Sequence, residues 1–224
     1  MLGSLFAVTC LVGGLVLLRL IATGVPNYGF LAWNAFLAWL PIGFALAWAQ
    51  ATERGERRLV RAAWAAAWLA FLPNAPYLLT DLQHFNSDRL APRWFDAWLL
   101  GANSLNGLLL GSAALAIGHR ALARSLGRVG AWPAVVIVCL LCGFGVYLGR
   151  FVRLNSWDVL TRPFSVAEIV GDIVLSPLAH PRAWFVTLVA GATQLLCYLT
   201  LCGAAALQRA ALLADLRALR GRPA

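Results

Sequence analysis

Two short stretches of this chain concentrate the side chains that do chemistry. The first is Phe71-Leu-Pro-Asn-Ala-Pro-Tyr-Leu-Leu-Thr-Asp-Leu-Gln-His84. Tyr77, Asp81 and His84 recur there at spacings of four and three, so a helical backbone sets them on one face. A carboxylate beside an imidazole fixes its tautomer and supports acid/base work, which makes Asp81 and His84 catalytic candidates. Asp-x-x-His also offers two metal ligands, but a catalytic zinc site uses three. The other histidines, His119 and His180, are far away in sequence, and no metal is expected. The second stretch is Gly149-Arg-Phe-Val-Arg-Leu-Asn-Ser-Trp-Asp158. Arg150 and Arg153 share a face if the preceding helix continues, and a guanidinium grips phosphate with a planar fork. Asp158 is a second candidate base. Asn74 and Asn155 are placed to position a substrate by hydrogen bonds, and Tyr77, Asp96 and Trp157 complete the expected substrate-binding set. Trp157 also suits a membrane interface. No cofactor is expected.

The elements that carry these residues are apolar. Of 224 residues, 61% are hydrophobic and 12% charged; soluble domains run near 45–50% and 25%. That excludes disorder, which needs low hydrophobicity and high charge, and an ordinary soluble enzyme. The composition implies an all-α, polytopic membrane helix bundle. A span needs about 20 apolar residues, and about six such runs are present, at 4–24, 30–49, 59–79, 94–117, 131–149 and 184–207. No positive residue precedes the first run, so it reads as a retained span and not as a signal peptide. Residues 1–207 form one transmembrane domain and 208–224 a basic cytoplasmic tail, with an amphipathic helix from Gln208 to Arg220.

The net charge of +9 rests on 18 basic residues, all of them arginine. They lie in loops between apolar runs, which argues for membrane orientation and against nucleic-acid binding. Eleven fall on the side of the termini and seven on the other, so the positive-inside rule puts both termini in the cytoplasm. Asp81, Asp88, Asp158, Glu168 and Asp172 then fall in outer loops, and Asp96 near the outer end of the fourth span. The five cysteines lie in apolar runs and read as small buried residues.

Pro73 and Pro76 fall at membrane depth, where each removes a backbone donor. The third span is therefore expected to break there, with Asn74 capping a new start. Broken helices often mark binding sites in membrane proteins. Ser165-Val-Ala-Glu168 is a capping-box pattern. It opens a short amphipathic helix expected in the outer loop between spans five and six. Asp96 is expected to pair with Arg19 or Arg150, and Gly107-x-x-x-Gly111 to pack closely.

The runs Phe71–His84 and Gly149–Leu160 resemble the two signature stretches of a bacterial membrane family, the domain of unknown function DUF1361. The resemblance covers nearly the whole chain and includes the span count. It implies a small multi-spanning bacterial membrane protein, for which the inner membrane is the expected location, and it carries no activity, substrate or cofactor. The residues themselves point to an outward-facing polar site that binds or modifies an anionic lipid or lipid-linked substrate. Two alternatives stand beside it: a non-enzymatic scaffold or assembly partner of an envelope complex, and a small transporter. The transporter needs a polar path through the inner half, where Thr193 and Gln194 are nearly all there is.

Overall fold

The computed structural model describes residues 2–85 and 90–220, so Asp88, Arg89 and Arg222 lie outside the described residues. Every regular element described is helical. Helix α1 (Leu2–Thr23) ends where Gly24 adopts a left-handed φ of 68°, a backbone that glycine adopts without steric cost. Helix α2 (Phe30–Glu53) returns antiparallel to it. Next come α3 (Arg58–Phe71), the single turn α4 (Asn74–Tyr77) and a 3-10 turn, Leu78–His84.

The longest helix, α5 (Arg93–Tyr147), has 55 residues. At 1.5 Å per residue it measures about 80 Å, far beyond the ~30 Å of a bilayer core. Gly127, at φ 76° and ψ 164°, breaks it into two arms. The second arm runs out through a π-helical turn, Leu148–Val152. Helices α6 (Asp158–Thr161), α7 (Pro163–Leu175) and α8 (Pro181–Arg220) follow.

Four of these helices, counting both arms of α5 as one, are long and apolar enough to cross a membrane. The predicted third span, 59–79, is not a single helix, because α3 stops at Phe71 before the proline break. That break agrees with the proline reading, whereas two other expectations differ from what is found. The helix over Ser165–Glu168 starts earlier, with Pro163 at its first position and no side-chain cap; proline's fixed φ favours that first position and displaces the capping box. The tail does not begin a new helix at Gln208 but continues α8 without a break.

The core lies between α2, both arms of α5, and α8. It is built from small and branched residues, among them Ala38, Ala45, Leu110, Ala114, Val135, Cys139 and Cys142. Cys10, by contrast, is exposed. The surface is apolar: Phe6, Ile21, Trp94, Trp98, Phe164, Leu175 and Leu178 all stand largely outside. Ten polar side chains among the described residues are buried. Arg19 on α1 meets Asp96 on α5 with two bonds, Nε to Oδ1 at 2.7 Å and Nη2 to Oδ2 at 3.2 Å, with 1% and 3% of the side chains exposed. Removing one partner from a buried pair of this kind costs about 3–5 kcal/mol. Thr9 links α1 to the core by donating to Asn106 and accepting from Trp39, each at 3.0 Å. Gln194 on α8 donates to Ser112 on α5 at 3.0 Å.

Candidate functional site

The proline break builds the site. Pro76 has no N–H for the carbonyl of Leu72, and Ala75 N–H takes that acceptor at 3.1 Å. This diverts Ala75 from the carbonyl of Phe71, which would otherwise be orphaned. Asn74 Nδ2 satisfies it at 2.9 Å and also donates to Ser156 Oγ at 3.0 Å. Asn74 is therefore not the N-cap the sequence suggested. It closes the end of α3 and ties the break to the loop after α5. Two glycines let that loop and helix come close. A Cβ at Gly145 would overlap the ring of Pro73, and one at Gly107 would overlap Ala75 O and Leu78 Cβ. Gly107 and Gly111 do pack closely, but against different neighbours, the broken segment and Gln194.

The 3-10 turn then carries Asp81 and His84 to the mouth of the bundle. Asp81 is fully buried. Asn34 Nδ2 on α2 donates to both of its oxygens, at 3.3 and 3.2 Å, and Asn103 Nδ2 on α5 donates at 3.1 Å. Arg150 Nη1 lies 3.9 Å away. Burial pushes the Asp81 carboxyl up to about 6, against the pull of Asn34, Arg150 and Asn103.

Arg150 is the hub. It donates to Tyr77 Oη at 3.2 Å, to Thr80 O at 3.2 Å and to His84 Nε2 at 3.0 Å, and its side chain is 11% exposed. An arginine only donates, so Nε2 accepts and His84 is the neutral tautomer with its proton on Nδ1. Burial and then Arg150 lower the His84 pKa. Tyr77, Asp81 and His84 are thus brought together, but Arg150 stands between the carboxylate and the imidazole. Arg150 Nε is buried with no acceptor.

Arg153 behaves differently. The helix does not continue through it: the π-turn ends there, and Arg153 adopts a left-handed φ of 64°. The two arginines therefore do not share a helical face. Arg150 turns inward, while Arg153 is exposed and makes no hydrogen bond or ion pair within the described residues. Both still line one open polar cleft of about 500 Å³, with Tyr77, Gln83, His84 and Asn155. A second, partly enclosed cavity of about 230 Å³ adjoins it through Tyr77, Gly149 and Asn155. Its walls include Trp33, Asn34, Asn74, Ser156 and Trp157.

The other predicted residues sit apart. Asp158 accepts from Asn155 N at 2.7 Å and Arg162 Nη2 at 2.9 Å, which holds its pKa below the usual carboxylate range. It shapes the loop and lines neither cavity. Asp96, expected at the substrate, is held in the ion pair with Arg19 and also lines neither. No three of the described His, Cys, Asp and Glu residues converge as metal ligands.

Sequence reasoning missed several partners. Tyr28 Oη donates to His84 O at 2.8 Å, and its ring lies 3.8 Å beneath the Arg19 guanidinium. Trp33 as a cavity wall and the Asn34 and Asn103 bonds to Asp81 were also unseen. Asn34 and Asn103 are isolated polar residues in apolar runs, a pattern that names no partner.

The family described as "Protein of unknown function (DUF1361)" matches residues 33–197. That span includes the whole broken segment and the Arg150–Asp158 loop. Neither a curated protein nor a solved structure matches the chain.

Proposed function

We propose that this chain, which belongs to the DUF1361 family, is a multi-pass membrane protein that binds the phosphate of an anionic lipid or lipid-linked substrate. The four long apolar helices and the apolar exterior support the membrane setting. Gly127 makes α5 a helical hairpin of two spans, and α3 with its broken extension supplies one more, which with α1, α2 and α8 gives six crossings. With the arginine-rich loops and termini in the cytoplasm, the cleft opens at the outer face of a bacterial inner membrane. Helix α7 then lies along that face.

The observation that carries the reading is Arg153. It is an exposed guanidinium without a hydrogen-bond or ion-pair partner among the described residues, and it lines the same cleft as Arg150. Arginine at a span end often snorkels to the interface, but here two guanidiniums face one concave polar space. Asp81, His84 and Tyr77 hold Arg150 in place and are positioning residues on this reading. Asp158 and Asn155 set the loop that presents Arg153.

Native mass spectrometry of the gently solubilised protein tests this. Wild type is expected to retain an anionic phospholipid. Arg153→Ala, which breaks no hydrogen bond or ion pair among the described residues, is expected to weaken retention roughly ten- to a hundredfold, the worth of a charge-assisted hydrogen bond. Equal retention by wild type and variant sinks the phosphate site and favours a scaffold.

A further inference from the structure

We propose that the 230 Å³ cavity beside the arginine cleft receives a hydroxylated ring, a cyclic polyol or hexose, joined to the phosphate that Arg150 and Arg153 bind. This rests on the phosphate reading and names the substrate class. The two spaces share Tyr77, Gly149 and Asn155, so one ligand can occupy both.

The chemistry of the walls selects the occupant. Among the described residues no acidic or basic side chain lines this cavity, so a charged group finds no counter-charge in its walls. An apolar chain would strand its polar groups, which is costly when they are desolvated. Asn34, Asn74 and Asn155 direct their amide N–H groups to Asp81, to Phe71 and Ser156, and to Asp158. Among the described residues nothing donates to their side-chain oxygens. Ser156 Oγ accepts from Asn74 and keeps its own proton to donate. A neutral space edged with three open acceptors and the hydroxyls of Ser156 and Tyr77 matches a ligand rich in O–H donors. Trp33 and Trp157, both well exposed, add flat apolar faces suited to the C–H side of a ring. The volume equals the liquid share of about eight waters, enough for one ring.

The test uses the full-length protein in detergent with three added lipids: phosphatidic acid, phosphatidylinositol and a prenyl-phosphate glucose. Retention is read by native mass spectrometry as the ratio of each ring lipid to phosphatidic acid. A ratio of about ten or more is expected, the factor that one or two hydrogen bonds carry. Whichever ring lipid prevails identifies the source, inositol or hexose. In Asn74→Ala the ratio is expected to fall towards one. Asn74 also holds the proline break, so Trp33→Ala, at an exposed side chain, gives a second reading with the same expected fall. A wild-type ratio of one overturns the ring site and leaves the phosphate site standing. A high ratio that both variants keep also overturns it. Retention of none of the three lipids removes the phosphate reading itself.

Discussion

Asp81 shows how much the surroundings decide about a single residue. Its type and its spacing from His84 suggested a general base, yet it is buried beneath Asn34, Asn103 and Arg150. Its pKa is raised from 3.8 to about 6, chiefly by burial. Between those values the folded protein keeps a proton that the unfolded chain has lost. Stability from this group is therefore present below the unfolded value and is lost as pH rises through about 6. Two pKa units correspond to about 3 kcal/mol. His84, whose pKa is lowered by burial and Arg150, acts with the opposite sign, so the informative quantity is a difference between two proteins. The melting midpoint of wild type in detergent is expected to lose ground against that of Asp81→Asn as pH rises from about 4 to about 7. Parallel curves would show that the carboxyl is not perturbed. What was legible at this scale was residue type: an acid, an imidazole and two arginines marked the right neighbourhood. What was not legible was partnership. Asn34 and Asn103 reach Asp81 from 47 and 22 residues away, and no local spacing records such a contact. Arg19 and Asp96 lie 77 apart and were foreseen only because a buried charge demands some partner.

At the scale of elements, prolines speak clearly in the sequence and glycines do not. Pro73 and Pro76 remove donors that any helix needs, so the end of α3 and the irregular backbone after it could be read directly. The partner that accepts the break could not. Gly145 meets Pro73 because the second arm of α5 passes there, a matter of tertiary packing. The arginine pair failed as a helical face for a related reason. A π-turn and a left-handed Arg153 intervene, and neither has a marker in the residues themselves. This contact yields a prediction with a sign. Gly145→Ala drives a methyl into the proline ring and is expected to cost about 1–3 kcal/mol of overpacking, with loss of lipid retention. Gly43, inside α2, has nothing within 4 Å of its virtual Cβ. There the same change is expected to stabilise by up to about 1 kcal/mol through helix propensity. Melting midpoints that move in opposite directions support the clamp; a tolerated Gly145→Ala removes it.

The molecule turns a largely apolar surface outward and buries a few polar pairs in its apolar core, and that apolar exterior was the most legible property of all. Long runs of Leu, Ala, Val and Trp state it without any pairing information. The contacts add an axis that composition lacks. At one end Arg19 meets Asp96, Tyr28 meets His84 and Arg150 meets Thr80; at the other Arg124 meets Glu53 at 2.7 Å and His119 meets Tyr198 at 2.8 Å. The first end holds the two polar spaces that Tyr77 and Asn155 share and the second the arginine-rich loops, so the proposed site and the charge asymmetry stand on one axis. Placing the clefts outside follows from the positive-inside rule, and it is open to direct measurement. With the five native cysteines replaced by alanine, Thr161→Cys next to the Asp158 loop and Glu56→Cys in the loop after α2 report opposite ends. In intact bacterial cells a membrane-impermeant maleimide is expected to label Thr161→Cys and to reach Glu56→Cys only after lysis. The reverse pattern turns the protein over and gives the arginine cleft to the cytoplasmic leaflet. Labelling of both in intact cells shows that the two ends are not on opposite sides, and the six-crossing reading falls with it.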